Sequence, residues 1–555
     1  MSTTPSAIPD NTATTPDYVV HDLDHLGLVS GMVDELGVVK MIDTLIVQDH
    51  EQRHVSIGLA VKAMILNGLG FIQRVLYLMP RFFQNKPLDR LLGPGITAEH
   101  LNDDTLGRAL DKIYQYGPGR LYSQVAAQAV KRLGLACRIG HMDSTSFHTD
   151  GQYNSNEVPL EGVVHITQGY SRDHRPDLNQ VVLQLISENQ AGIPLLMAPL
   201  NGNSSDQTCF RQTISEHIEQ MKVDVGLQYI VADSALYSEA TLQELGNFGW
   251  ISRVPATIAA AREIIQVVAG DLMREAGDEE MAYRALCTTY GGVEQRWLVV
   301  YTRSARQRAE KTLQKQHLKQ GSDDLKAFDI LTRTEFVCAA DAQAALHAFT
   351  KKLTLTMVQD ERIVECPHYP KKGRPGKHQV PERITYYLEG QLASRVEVHQ
   401  QELQRKSSFI VATNELDEQA LTHEQVIDLY KKDQQKVERG FRFLKDPFFM
   451  ASSFFLKSAQ RLMALMMVMT LCLLVYGAVQ YRIRQALQQQ QETFPNQLGR
   501  ATANPTARWV FQFFSGIRLL VVSQIQEIVL NLNEYHRTLL TLLGSRYVDL
   551  YANSG

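Results

Sequence analysis

Cysteine is scarce: six in 555 residues, at Cys137, Cys209, Cys287, Cys338, Cys366 and Cys472, with no C-x-x-C pair and no histidine at zinc-ligand spacing. That scatter fits a reduced, cytoplasmic protein and argues against a structural zinc site. Excess charge of one sign is also missing. Fifty-six Lys and Arg against 60 Asp and Glu leave a formal net charge of -4, which excludes a uniformly basic coat for nucleic acid and leaves only local patches to be read. No phosphate-binding G-x-x-x-x-G-K-[ST] loop is present, so a nucleotide cofactor is not expected. The opening stretch MSTTPSAIPDNTATTPD has no basic segment followed by an apolar run, and a polar disordered tail over 1–17 is expected rather than an export signal. Internal repeats are absent as well.

The chain does have enough apolar material to fold. Hydrophobic residues make up 44% and charged residues 21%, ordinary values for a globular protein, and the length implies several domains. One charge-free run, LMALMMVMTLCLLVYGAV from Leu462 to Val479, is about long enough to cross a bilayer. It is Met-rich and continues directly from a polar helix, so a buried helix against a large core, and no membrane, is expected.

Periodicity divides the rest. Leu23 to Ile46 and Val55 to Leu66 show helical apolar spacing, and NDDTLGRALDKIYQYG offers Asp104 or Thr105 as a helix cap. A helical N-terminal domain is therefore expected over 18–137. From Cys137 the texture changes to short apolar runs punctuated by Gly, Asn and Asp: CRIGHMDSTSFH, GVVHITQGYS, QVVLQLIS, IPLLMAPLNG and YIVADSALYS. These read as strands, with helices around Cys209 to Met221 and Glu239 to Phe248. The expectation is an α/β domain in two parts, 138–254 and 407–485, interrupted by a mixed α+β insertion over 255–406. Strands are expected there at Arg296 to Tyr301 and Ile384 to Leu388. SSFIVATN would begin the second part, ahead of a helix from about Thr422, and 486–555 would be a helical C-terminal region whose Leu519 to Leu543 stretch could dimerise.

Two of the strands end in the same grammar, apolar residues delivering an acid followed by small polar residues. Asp143 lies in RIGHMDSTSF, near the end of the first strand, and Asp233 in YIVADSALY. One such match has little force, because Asp commonly closes a strand as a turn former. Two in one domain, with a third acid on a helix downstream, meet the need of phosphodiester chemistry for carboxylates that hold divalent cations. The downstream segment is YKKDQQKVERGFRFLKDP, residues 430–447. On a helix Glu438, Arg442 and Lys445 stand at i, i+4 and i+7, one face, which would flank a metal-binding carboxylate with cations suited to phosphate.

This segment resembles the catalytic helix of bacterial insertion-sequence DDE transposases, whose Glu lies in a Tyr, Arg, Glu, Lys signature. The resemblance implies an RNase H-like fold with a strand-bearing insertion between the second Asp and the Glu. It also implies that Asp143, Asp233 and Glu438 are the catalytic, metal-binding acids, and that Lys445, seven positions after Glu438, is the signature lysine. Tyr430 stands eight positions before Glu438 where the family has seven, and Gln434 occupies the arginine position, so Lys436, Arg439 or Arg442 would supply that phosphate contact. The implied reaction is hydrolysis at element ends using Mg2+, with Mn2+ as its substitute, then attack of the freed 3′-hydroxyl on target DNA. The implied assembly is a homodimer on DNA, in the cytoplasm at the nucleoid. The alternatives are an RNase H-fold nuclease without strand transfer and an inactive DNA-binding remnant.

Three further segments carry cations or an aromatic. GYSRDHRPDLNQ holds Arg172 and Arg175 in a turn-forming stretch, which fits a loop against DNA phosphates as well as it fits a tight hairpin with exposed charge. PKKGRPGK carries Lys371, Lys372, Arg374 and Lys377 without an acid; a Gly-Arg-Pro core can lay arginine in a minor groove, or simply be a solvated loop. Trp297 is either core or a base-stacking aromatic. His141 and His148 flank Asp143 and are expected to play no part as ligands.

Overall fold

The computed structural model describes residues 18–47, 54–71, 76–149, 162–170, 175–370, 379–433, 458–523 and 526–554. The proposed disordered tail over 1–17 lies outside them. The chain forms two compact units, one of Met1–Ser252, Gly291–Val293 and Glu424–Gly555, the other of Arg253–Tyr290 and Glu294–His423.

The first unit opens on a strand, β1 (Tyr18–Asp22), followed by helices Leu26–Leu36, Val38–Leu45, Ile57–Leu69, Asp103–Tyr116 and Pro118–Leu133. The helical reading of 18–137 thus omits one strand, because the partner of β1 is Arg518–Val522, almost five hundred residues away. That partner pairs in turn with Gln526–Leu530, so the C-terminal region holds a hairpin as well as helices Ala507–Phe513, Glu534–Leu543 and Ser545–Leu550. Helix Asp103–Tyr116 is capped by Asn102, whose side chain accepts from the Thr105 amide, two residues ahead of the expected cap. Asn at this position leaves Asp103 and Asp104 in the first turn, where the helix dipole favours acids.

His25 knits this region together. It is 2% exposed, its Nε2 lies 2.8 Å from the Leu69 carbonyl, and its ring stacks on Phe511 at 4.5 Å. Burial lowers its pKa to about 4. The folded state therefore holds His25 neutral while the unfolded chain takes up the proton below about pH 6.5, so stability is present above that pH and is lost as pH falls towards 4. Urea unfolding at pH 7 and pH 5 should show a loss about 2 kcal/mol greater for the wild type than for His25→Gln; equal losses would remove His25 as the cause.

A mixed sheet forms the centre of the first unit. Its strands are β2 (Ile139–His148), β3 (Gln180–Glu188), β4 (Pro194–Leu200), β5 (Tyr229–Ala232) and β6 (Gly249–Arg253), in the order β4-β3-β2-β5-β6. β3 lies antiparallel to β2 and β4, whereas β5 is parallel to β2 and β6 to β5. The parallel steps require crossovers, and helices Asp206–Val225 and Glu239–Leu245 supply them. The expected strand at 162–171 is irregular instead, touching the sheet through one bridge from Thr167 to Gln180. The apolar run from Leu462 is the centre of the 31-residue helix Ala459–Gln489. This helix is long and apolar enough to cross a membrane, yet 83% of its most apolar window is buried; it packs on β4 and on the N-terminal helices.

The second unit contains β7 (Met281–Tyr290), β8 (Val293–Thr302), β9 (Thr356–His368), β10 (Arg383–Ser394) and β11 (Ser408–Thr413), with helices Ala259–Ala276, Arg303–Arg333, Ala339–Thr350 and Val396–Ser407. β11 pairs antiparallel with β8, Phe409 opposite Val300. SSFIVAT thus forms the expected strand, and this unit ends at His423. Trp297 is 1% exposed and its indole donates to Gln295 Oε1 at 2.9 Å, so it is core. β9 and β10 form a long antiparallel ribbon from Thr356 opposite Ser394 to His368 opposite Arg383.

Candidate active site

The fold delivers both strand acids to one place. β2 and β5 run parallel with Ile139 beside Tyr229, Gly140 beside Ile230, His141 beside Val231 and Met142 beside Ala232. The residue after that last pair is an aspartate in each segment, Asp143 within β2 and Asp233 just past the end of β5. A register continued by one step would set their backbones roughly 5 Å apart. Asp143 is not near the end of its strand, as expected, but at its middle, since β2 runs on to His148. What ends there is the neighbour: β5 stops at Ala232, so Asp143 stands where β2 runs on past the end of β5.

Local hydrogen bonds hold both acids. Asp143 Oδ1 accepts from the Ser144 amide at 2.7 Å, and Asp233 Oδ1 accepts from the Ala235 amide at 2.9 Å, an Asx turn that closes β5. The Asp233 carbonyl accepts from the Leu236 amide at 3.2 Å and from the Ser252 hydroxyl at 2.8 Å. Asp143 shares its face with Leu185 and Met197 across the sheet. The opposite face carries Met142 and Gln184, whose side chains touch, and Thr213 of helix Asp206–Val225 donates to Gln184 at 2.8 Å. Asp143 therefore points away from that helix.

A third element approaches the same strand. Helix His423–Asp428 widens into a π turn over Leu429–Asp433, and this turn packs against β5. Tyr430 is buried here, 9% exposed. Glu438, Arg439, Arg442 and Lys445 lie outside the described residues, as do Arg172 and Lys371, Lys372, Arg374 and Lys377. Arg175 is described. It makes an exposed ion pair with Asp177 at 2.8 Å, so its charge is partly answered within its own turn. Among the described residues no three His, Cys, Asp or Glu side chains converge as a metal-binding set. Glu188, a buried acid in the same sheet, accepts from the amides of Gln190, Ala191 and Ile193 at 2.6 to 2.8 Å; it closes the turn into β4. His141 is 2% exposed on β2.

Two features escaped sequence reasoning. One is the π turn, whose only signal is the extra residue between Tyr430 and Glu438. The other is a junction at the far end of β2 built on Gly169, Gly202 and Gln180, for which the two glycines in otherwise polar segments were the available signal.

The family described as Transposase DDE domain matches residues 138–475, and a domain of unknown function, DUF4277, matches 18–127. None of the curated proteins matches the chain. A solved structure, the cryo-EM structure of a piggyBac transposase synaptic complex with hairpin DNA, aligns over 88% of this chain and 79% of that one, with 7% identity and a TM-score of 0.35.

Proposed function

The chain belongs to the transposase DDE domain family, and from that membership we propose that it cuts DNA at the ends of a bacterial insertion sequence and joins the freed ends to a target. The observation that carries the proposal is the parallel register of β2 and β5, whose last pair, Met142 and Ala232, immediately precedes Asp143 and Asp233. The strand order β4-β3-β2-β5-β6, three antiparallel strands and then two parallel to β2, supports reading this sheet as RNase H-like. The second unit, between Asp233 and Glu438 in the chain, fits the insertion domain, and the N-terminal helices would bind element ends.

Glu438 is proposed as the third acid. A π turn takes one more residue than an α turn. With one at Leu429–Asp433, a helix continued to Glu438 would count the eight positions from Tyr430 as about seven α-helical ones, two turns, and would set the two residues on one face. The family's spacing would then be met despite the longer sequence.

Three carboxylates are hard oxygen donors of the kind Mg2+ takes, with Mn2+ as its substitute; when bound, the ions activate the attacking water or 3′-hydroxyl and offset charge at phosphorus. The chain's own residues do the positioning. β2 and β5 fix two carboxylates, and Lys445, Arg442, Arg439 and Tyr430 would hold the phosphates on either side. Two ends are joined in one event, so a homodimer in a synaptic complex is the proposed working form, acting in the cytoplasm at the nucleoid.

The test is incubation of the full-length protein with linear duplexes carrying the source element's ends and a supercoiled target, with and without Mg2+. Cleavage and joined products only with the metal are expected. Cleavage without joining would reduce the protein to a nuclease, and no cleavage at all would overturn the proposal.

The basic loop offers a separate check. In the chain, Lys371, Lys372, Arg374 and Lys377 fall between the two residues of the ribbon's last registered pair, His368 and Arg383, and we propose that they act at its tip. The ribbon is 13 residues long on one strand, about 40 Å, and its β9 strand is itself acidic, with Asp360, Glu361 and Glu365. Phosphate contact would therefore concentrate at the tip. Replacing the four cations with Ala should weaken binding and lower the slope of log K against log[salt] by roughly three to four. An unchanged slope would make the tip a bystander.

A further inference from the structure

A small sheet in the first unit joins the two ends of the chain, in the order β1, Arg518–Val522, Gln526–Leu530, and its two edges are finished differently. On the edge of Gln526–Leu530 the outward groups are taken up by the chain's own last residues. Glu527 and Ser554 exchange backbone hydrogen bonds at 2.6 and 3.0 Å, and the Val529 amide donates to Asn553 Oδ1 at 2.8 Å. On β1 the Leu23 amide donates inward to the Ile517 carbonyl at 3.1 Å, and the Asp22 amide donates outward to the Asn85 carbonyl at 2.8 Å. Alternate residues of a strand turn their backbone groups to the same side. Val19 and His21 therefore bond to Arg518–Val522, whereas Tyr18 and Val20 face outward with Asp22. Among the described residues nothing pairs with that side of Tyr18 and Val20.

Edge strands are commonly blunted by charge, proline, a bulge or a covering segment, and among the described residues this stretch has none of these. Tyr18, Val19 and Val20 are 69%, 48% and 40% exposed, so apolar side chains stand open on both faces of an open edge. The stretch is also complementary to itself. A two-fold axis at Val19 sets Tyr18 of one copy opposite Val20 of another, and both residues of each such pair turn their backbone groups outward, so each pair can exchange two hydrogen bonds. This register avoids Asp22, whose amide Asn85 already holds. Each pair brings an aromatic ring beside a β-branched side chain on one face, a favourable cross-strand combination, and Val19 meets its own copy on the other. An edge that fits itself under a two-fold axis needs no partner of different sequence, and closed dimers use such isologous contacts.

We propose that the Tyr18–Val20 edge pairs antiparallel with the same edge of a second copy, joining two small sheets into one across a two-fold axis at Val19. This names a surface for the homodimer proposed above and rests on that part of the reading, with no dependence on the three acids. A strand edge this short buries less than a stable interface needs, so the pairing is expected to be weak in the free protein and favoured when two DNA ends are bound.

The test is disulfide trapping of full-length Val19→Cys, oxidised with and without a duplex of the source element's end and resolved on a non-reducing gel. Residues opposed in a non-hydrogen-bonded antiparallel pair have Cα atoms about 4.5 Å apart, within reach of a disulfide, and the bond traps even a weak dimer. A covalent dimer is expected in both conditions and more of it with DNA, roughly 10-fold above the background set by the wild type's own cysteines. Tyr18→Cys should stay at that background, because its copy across the axis is about 9 Å away. Adding Val20→Pro to Val19→Cys should cut trapping about 10-fold, since proline removes an outward amide and leaves the inward bonds of Val19 and His21 in place; circular dichroism and thermal unfolding check that the variant folds. Trapping of Val19→Cys at background in both conditions, as when another segment of the same chain covers the edge, overturns the inference. So does equal trapping through Tyr18→Cys, or trapping that Val20→Pro leaves unchanged. If the inference fails in one of these ways while the wild type cleaves and joins DNA, the proposed reaction stands. If Val19→Cys is trapped as expected and the wild type cuts nothing, the edge pairing stands and the proposed reaction falls.

Discussion

Asp143→Asn, Asp233→Asn and Glu438→Gln are each expected to abolish DNA cleavage and joining, a fall of at least about three orders of magnitude, because a neutral amide does not hold a divalent cation as a carboxylate does. The structure explains why the two Asp variants should fold normally. Asp143 Oδ1 accepts one backbone hydrogen bond, from Ser144, and Asp233 Oδ1 one from Ala235; the amide oxygen of Asn accepts the same bonds and closes the same Asx turn. Thermal unfolding and binding to end DNA should therefore match the wild type. A gel-based cleavage assay in Mg2+ decides the matter for each residue. Any variant that cuts at the wild-type rate removes its residue from the centre.

The apolar runs that announced β2, β3, β4 and β5 were legible because each buried strand is bounded by Gly, Asn or Asp, and the two acids stood out because each follows such a run. What made them a site was not legible. The coincidence of Asp143 with Asp233 depends on the register between strands almost ninety residues apart, which no local pattern encodes. GVVHITQGYS has the β-branched content of a strand, but Gln180 and the amide-accepting side chain of Asn201 hold its backbone in an irregular path. Leu519 to Leu543 has apolar spacing that suits a helix, yet Val521, Val522, Ile528 and Val529 sit in a hairpin because β1, from the other end of the chain, supplies the pairing edge. Local propensity named the elements, and long-range pairing decided which unit they joined.

The cations around Glu438 give the last test, since their placement follows from a register that the π turn sets. Continued from Leu429–Asp433, an α-helix through Glu438 carries Arg442 and Lys445 on the same face at i+4 and i+7. Each would then reach a phosphate through charge-assisted hydrogen bonds without touching a metal. Lys445→Ala should lower the cleavage rate by about one to three orders of magnitude, the range for one lost electrostatic contact at a reacting phosphate, and the Mg2+ dependence should keep its midpoint. On such a helix Gln434→Arg, four positions before Glu438, would stand on the same side. It should be neutral or mildly favourable, because an added cation there meets phosphate and displaces no ligand. Deleting one residue within 431–433 should convert the π turn to an α turn and leave seven α-helical positions from Tyr430 to Glu438, two turns, so that the pair keeps one face and activity is retained. If Lys445→Ala cuts DNA at the wild-type rate while Asp143→Asn is dead, the register from Glu438 to Lys445 is wrong, and Glu424 or Asp446 becomes the acid to substitute next.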